Sequence, residues 1–153
     1  MRTHRYETCV EWAADGEGTK SYRSYSRNFV ITAHGKAGIE GSSDPAFHGD
    51  ATRYNPEELL VASLSSCHML WYLHLCSVNG IAVLDYRDDA AGTMEEGNGA
   101  GQFVKAELRP KITIARGGDS VRALALHDEA HRLCFIARSV NFPVDVEADI
   151  AEE

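Results

Sequence analysis

Two cysteines stand in segments suited to thiol chemistry. Cys67 lies in the middle of NPEELLVASLSSCHMLWYLHLC, which runs from Asn55 to Cys76. Cys134 lies in AHRLCFIARSVNFPV. A thiolate that attacks an oxidant becomes a sulfenic acid, and a second thiol condenses with it to a disulfide. Such a thiol needs a lowered pKa, which an adjacent cation supplies. Arg23, Arg27 and Arg53 are the nearest candidates by position. Glu57 and Glu58 open the first segment. If that segment is one continuous helix, the ten residues from Glu57 to Cys67 rise about 15 Å and turn the two side chains about 80° apart. Glu57 then serves Cys67 only from a second subunit or across a broken helix. Otherwise both glutamates simply stabilise the helix start.

Other chemistries are weaker on the same residues. His127, His131 and Cys134 fall at i, i+4 and i+7, one side of a helix, but no clear fourth metal ligand accompanies them. His68 follows Cys67 directly, and helical neighbours point about 100° apart. His74 shares the cysteine's side but lies about 10 Å along. These histidines read as surface or core residues. A cysteine hydrolase would need a histidine base from elsewhere. None of the four cysteines forms a C-x-x-C pair or matches a zinc-finger spacing. Cys9 and Cys76 read as small buried hydrophobes.

The elements that must position these residues can be read from pattern. Tyr6 to Trp12 alternates as a half-buried strand does, and Tyr22 to Thr32 reads as a second strand. GKAGIEGSSDPAFHGD is a loop. Asn55 is a good N-cap, Pro56 suits the first helical position, and Asn79-Gly80 is a C-cap pair. Ile81 to Glu95 reads as a strand and GNGAG as a hairpin turn. The alternation from Val104 to Ile114 reads as one strand with an edge or bulge at Pro110. Asp119 or Ser120 caps a second helix with Val121, Leu124, Leu126, Ala130, Leu133 and Cys134 on its apolar stripe, ended by NFP. Val144 to Ile150 is a last alternating strand.

This order predicts a single α+β domain over residues 1–153 with a mostly antiparallel sheet. The first helix is apolar around much of its girth and needs cover on more than one side, so a dimer is expected. The formal charge of -8, with 23 acidic against 15 basic residues, disfavours nucleic acid and anionic membrane as partners. Polar residues interrupt the apolar run from Leu59 to Leu75, which argues against a membrane span. MRTHRYETCV carries no targeting signal, and a cytoplasmic location is expected.

NPEELLVASLSSCHM resembles the first cysteine motif of the OsmC/Ohr family, the osmotically inducible and organic hydroperoxide resistance proteins. AHRLCFIARSVNFPVDVE is similar to that family's second cysteine motif. The order of elements agrees over nearly the whole chain. The resemblance implies a stress-related thiol peroxidase with an OsmC-like α+β fold: a long central helix, a second helix and an intertwined homodimer. It maps the peroxidatic cysteine onto Cys67, the resolving cysteine onto Cys134, and the motif glutamate onto Glu57. In the family that glutamate pairs with an arginine near the cysteine at the dimer interface. Arg27 in YSRNF is the first choice for it, Arg53 the second. The resemblance further implies a dithiol reductant such as a lipoylated protein, with no metal and no cofactor. Phe135 stands where the family usually has proline after the cysteine, and FIARSV lacks the usual polar residue two further on. The resemblance is thus to a divergent branch of the family.

Two readings follow. As an enzyme, the protein reduces an organic hydroperoxide in a pocket lined by Leu64, Leu70, Trp71 and Phe135. As a non-enzymatic dimer, it holds a hydrophobic ligand and its cysteines only pack.

Overall fold

The computed structural model describes all 153 residues, Met1–Glu153. The chain divides into two compact units, Met1–Leu59 and Leu60–Glu153.

The first unit contains β1 (Cys9–Glu11), β2 (Phe29–Thr32) and β3 (Ile39–Gly41), an antiparallel sheet in the order β1-β2-β3. Both outer strands are short. The expected long strands through Tyr6–Trp12 and Tyr22–Thr32 shrink to Cys9–Glu11 and to the C-terminal end of the second, Phe29–Thr32, because bends, turns and the 3-10 turn at Gly18–Lys20 take up residues 15–25. No hydrophobic residue before Leu64 is fully buried. Cys9, expected in a core, is exposed on β1.

Helix α1 (Pro56–Val78) begins and ends where the caps predict. The Glu58 N–H donates to Asn55 Oδ1 at 2.8 Å, and the Asn55 N–H donates to Glu58 Oε2 at 3.1 Å. This reciprocal pair is a capping box. At the other end Gly80 takes φ +70°, the left-handed turn that a Cβ disfavours. The Ile81 N–H then reaches the Cys76 carbonyl at 2.9 Å, and Gly80 N–H reaches Ser77 at 3.3 Å. These two bonds close a Schellman motif. By length and mean hydropathy (1.4 over its most apolar window) α1 alone would qualify as a membrane span. Core helices pass the same test, and here Leu64, His68, Tyr72, Leu75 and Cys76 form its buried side.

The second unit is built on a creased three-stranded ribbon. The strand expected over Ile81–Glu95 is two, β4 (Val83–Asp88) and β5 (Ala91–Gly97). The next is also two, β6 (Ala100–Leu108) and β7 (Pro110–Ile114), and the last is β8 (Val144–Val146) and β9 (Asp149–Glu152). The halves form separate sheets, β4-β7-β9 and β5-β6-β8. All three chain segments change sheet near Ala90, Arg109 and Ala148. β4–β7 and β5–β6 pair antiparallel, while β6–β8 and β7–β9 pair parallel. Pro110 thus begins a strand rather than bulging one. Asn98 (φ +55°) and Gly99 (φ +80°) turn the β5–β6 hairpin, the conformation of a two-residue type I′ loop.

The crease would strand an amide, and Asp88 satisfies it. The Arg109 N–H donates to Asp88 Oδ1 at 2.7 Å, and the Ser65 hydroxyl of α1 donates to Asp88 Oδ2 at 2.5 Å. Each half of the ribbon has its own core. Leu64 joins Ala106, Leu108 and Val144. Tyr72, Leu75 and Cys76 join Ile81, Ile112, Ile114, Ala123, Leu126 and Ala130. Residues 65–70 of α1 therefore lie between the two cores.

Helix α2 (Ser120–Leu133) is capped by Asp119, whose Oδ1 accepts the Arg122 N–H at 2.8 Å. It ends earlier than the sequence suggests. Cys134 is the C-cap residue, with φ -62° and ψ 112°, and a 3-10 turn at Ala137–Ser139 follows. The stripe narrows as well. Ala123, Leu126, His127 and Ala130 are buried, whereas Val121 and Leu124 are exposed. The position in the helix, not hydropathy alone, decides which side meets the core.

Candidate functional site

Cys67 is half-buried on α1, between the two cores, while Cys134 is 1% exposed at the end of α2. Their thiols meet. The Cys67 side chain stands within interaction range of Cys134 and helps raise its pKa, after burial, which is the largest cause. Together these push the Cys134 thiol up to about 11. No disulfide joins them. Local backbone also holds Cys134. The Ala137 N–H donates to Cys134 Sγ at 3.4 Å, and the Arg138 N–H donates to the Cys134 carbonyl at 3.1 Å. The segment after α2 thus wraps the Cys134 sulfur.

This arrangement suits disulfide formation. One thiol is reachable by a small oxidant, and the other is buried, protonated and adjacent. Trp71, one turn beyond Cys67 on α1, meets the exposed Phe135 ring edge-on at 5.4 Å between centroids. A hollow of about 300 Å³ is lined by Leu70, Trp71 and His74. Leu64 is not available to such a pocket. It is fully buried in the β6–β8 core, which corrects that part of the expected lining.

Glu57 sits in the first turn of α1. The helix is unbroken from Pro56 to Val78, so the separation of about 15 Å from Cys67 along one helix holds. Glu57 of the same helix therefore does not touch the thiol. Arg27 is engaged by its neighbours in the first unit. Its guanidinium lies 3.8 Å from the Tyr25 ring centroid and 4.9 Å from that of Tyr22. It donates to the Tyr25 carbonyl at 2.6 Å and to the Tyr22 carbonyl. These contacts fix the side chain in a cation–π stack. Arg53 pairs with Glu40 at 3.4 Å and Asp50 at 3.8 Å. Arg23 is exposed.

One feature next to Cys67 carries no sequence signal of its partner. His68 Nε2 lies 3.0 Å from His127 Nδ1, joining α1 to α2. The residues are 1% and 3% exposed. The ring centroids are 5.3 Å apart with planes 11° from parallel, the geometry of two rings joined edge to edge. Tyr72 stacks on His127 at 3.9 Å. Burial, with His131 nearby, pushes His68 down to about 4. Burial, with His68 beside it, pushes His127 down to about 3. Both rings are therefore neutral at pH 7, each with one N–H, so one donates and the other accepts. His68 Nδ1 and His127 Nε2 are buried and make no hydrogen bond. With His127 Nδ1 taken by His68 and Cys134 beyond the helix, the i, i+4, i+7 trio does not converge as metal ligands, and no other His, Cys, Asp or Glu trio does.

The fold has close counterparts. Residues 48–149 match the family model described as OsmC-like protein. An OsmC-like protein of unknown function from Vibrio cholerae is 28% identical, with a TM-score of 0.88 over 96% of this chain and 100% of that one. An organic hydroperoxide resistance protein from Legionella pneumophila is 20% identical, with a TM-score of 0.67 over 97% of this chain and 99% of that one. Another from Elizabethkingia anophelis, with thiocyanate bound, is also 20% identical, with a TM-score of 0.67 over the full length of both. No curated protein matches the chain. At these identities the two resistance proteins bear on the fold alone.

Proposed function

The chain belongs to the OsmC family of OsmC-like proteins, and on that premise we propose that it is a thiol-dependent peroxidase of organic hydroperoxides. Cys67 is the peroxidatic cysteine and Cys134 resolves it. The observation that carries this reading is a half-buried thiol, Cys67, close enough to the fully buried Cys134 to help raise its pKa.

The Cys67 thiolate attacks the distal oxygen of the hydroperoxide. The O–O bond breaks, the alcohol leaves after taking a proton, and Cys67 becomes a sulfenic acid. Cys134 sulfur then attacks the Cys67 sulfur. The S–OH bond breaks, and the hydroxide takes the Cys134 proton and leaves as water. A dithiol reductant, such as a lipoylated protein, returns both cysteines to thiols and becomes a disulfide itself. The hollow at Leu70, Trp71 and His74 suits the alkyl part of the substrate and favours organic peroxides over hydrogen peroxide.

The working unit in this reading is a homodimer in the cytoplasm. A three-stranded sheet with no fully buried hydrophobic side chain is marginal alone, and a second copy is the natural cover. Glu57 and an arginine, Arg27 by preference, assist the thiolate. Since Glu57 does not reach Cys67 along its own helix, a second subunit supplies it. The arginine stabilises the charge that develops on the leaving oxygen.

Intact mass spectrometry before and after one equivalent of an alkyl hydroperoxide tests the proposal. The expected result is loss of the two thiol hydrogens per chain in the wild type and in neither Cys67→Ser nor Cys134→Ser. An unchanged wild-type mass would refute it and favour the ligand-binding alternative.

A further inference from the structure

We propose that the hollow formed by His131, Arg132, Ala137 and Arg138 binds the carboxylate of a small organic acid. That this acid is a reactant of the cysteine pair rests on the function proposed above. The binding itself does not.

The hollow has a volume of about 300 Å³, at the lower end of small-molecule sites. Two of its four lining residues are arginines. Both are exposed and, like Arg2, Arg23, Arg27 and Arg116, neither is paired with a carboxylate, whereas Arg5, Arg53, Arg87, Arg109 and Arg122 are. Arg138 Nη1–H donates to the Arg132 carbonyl at 3.3 Å. That bond holds the guanidinium over the end of α2 and leaves its other N–H groups free. A planar guanidinium fork matches a carboxylate in two parallel hydrogen bonds. His131 Nδ1 is buried and makes no hydrogen bond.

The plain alternative is that Arg132 and Arg138 only complement the negative end of α2. That end carries roughly half a charge, and two full positive charges exceed it. The surplus is what a bound anion would neutralise. Position ties the hollow to the chemistry. Ala137 lines it and also donates its N–H to Cys134 Sγ. An acid held there lies against the segment that wraps the resolving sulfur. The carboxylate belongs either to the hydroperoxide or to the thiol reductant.

Binding is measured first, by calorimetry on the full chain with hexanoate and hexanamide. Hexanoate is expected to bind saturably, and hexanamide about tenfold more weakly or less, the worth of one charge-assisted hydrogen bond. Arg132→Gln/Arg138→Gln should lose the same factor. Arg132→Lys/Arg138→Lys, which keeps the charge but not the fork, should fall between. The Cys67→Ser/Cys134→Ser variant should bind as wild type does, which separates this site from the peroxidase reading. Equal binding of acid and amide overturns the proposal. So does unchanged hexanoate binding in the glutamine variant, or a glutamine variant that alters only the sedimentation of the protein. Two kinetic arms then locate the acid. Oxidation is timed with a hydroperoxide acid and its methyl ester, and disulfide reduction with a dithiol acid and its amide. A preference for the acid that the glutamine variant loses, in one arm, assigns the carboxylate to that reactant. Discrimination in neither arm, with hexanoate still bound, severs the site from the cysteine pair.

Discussion

His68 and His127 are hydrogen-bonded to each other in the interior, Nε2 to Nδ1 at 3.0 Å, and both are neutral at pH 7. The bond fastens α1 to α2 one residue beyond Cys67. It works while one of the two facing nitrogens is bare: protonation of both rings sets two N–H groups and two charges against each other.

Acid should therefore weaken the fold earlier than ordinary carboxylate titration would. The folded-state values, about 4 for His68 and about 3 for His127, lie below the unfolded value of about 6.5. Between these limits the unfolded chain binds more protons, so stability falls as pH falls and is complete above about 6.5. Two protons give a slope approaching about 3 kcal/mol per pH unit near pH 5. Denaturant melts at pH 7, 6 and 5 measure it. His127→Leu should flatten part of the slope. It should also cost about 2 kcal/mol at pH 7, because His68 Nε2 is left buried without a partner.

The two cysteines should fail differently. Cys67→Ser should abolish peroxide turnover. Cys134→Ser should permit one oxidation per chain and then accumulate sulfenic and higher acids. Burial raises the Cys134 pKa to about 11, so disulfide formation after oxidation should quicken as pH rises and show no plateau through neutral pH. Stopped-flow mixing with peroxide, quenched for mass analysis, separates the two steps. A plateau near pH 7 would contradict the buried, protonated state of Cys134.

Asp88→Ala should destabilise the protein well beyond an ordinary surface change. It removes the acceptor for the Arg109 N–H at the crease and for the Ser65 hydroxyl on α1. Two charge-assisted bonds and a stranded amide amount to about 3 kcal/mol. The Arg109 amide should also gain hydrogen exchange. Asp88→Asn, which keeps one acceptor, should recover about half of the loss.

Much of the frame was legible because it is local. The caps of α1 at Asn55 and Asn79-Gly80, the Asn98-Gly99 turn and the Asp119 cap each satisfy their own backbone within a few residues. The crease was not. Alternation continues through Ala90, Arg109 and Ala148, and only the packing of two separate cores on α1 shows that the ribbon bends there. The end of α2 was misread because Phe135 and Ile136 prolong an apolar pattern that the backbone abandons at Cys134. His68 and His127 carry no mark of one another, since 59 residues separate them. The thiol pair stood out as chemistry, but its meeting depends on that same long-range packing. No local pattern marks an arginine as the partner proposed for Cys67. Arg27 and Arg53 each hold partners of their own.

The lock between His68 and His127 also works as an index pin. With Leu64, His68 and Tyr72 all turned inward, α1 has one permitted rotation about its axis, and the direction of the neighbouring sulfur comes with it. Extra residues ahead of Asn55 leave that bearing untouched. A single residue added between Cys67 and His68 would swing the sulfur by about 100° relative to that pin, away from Cys134, while leaving the helix as helical as before.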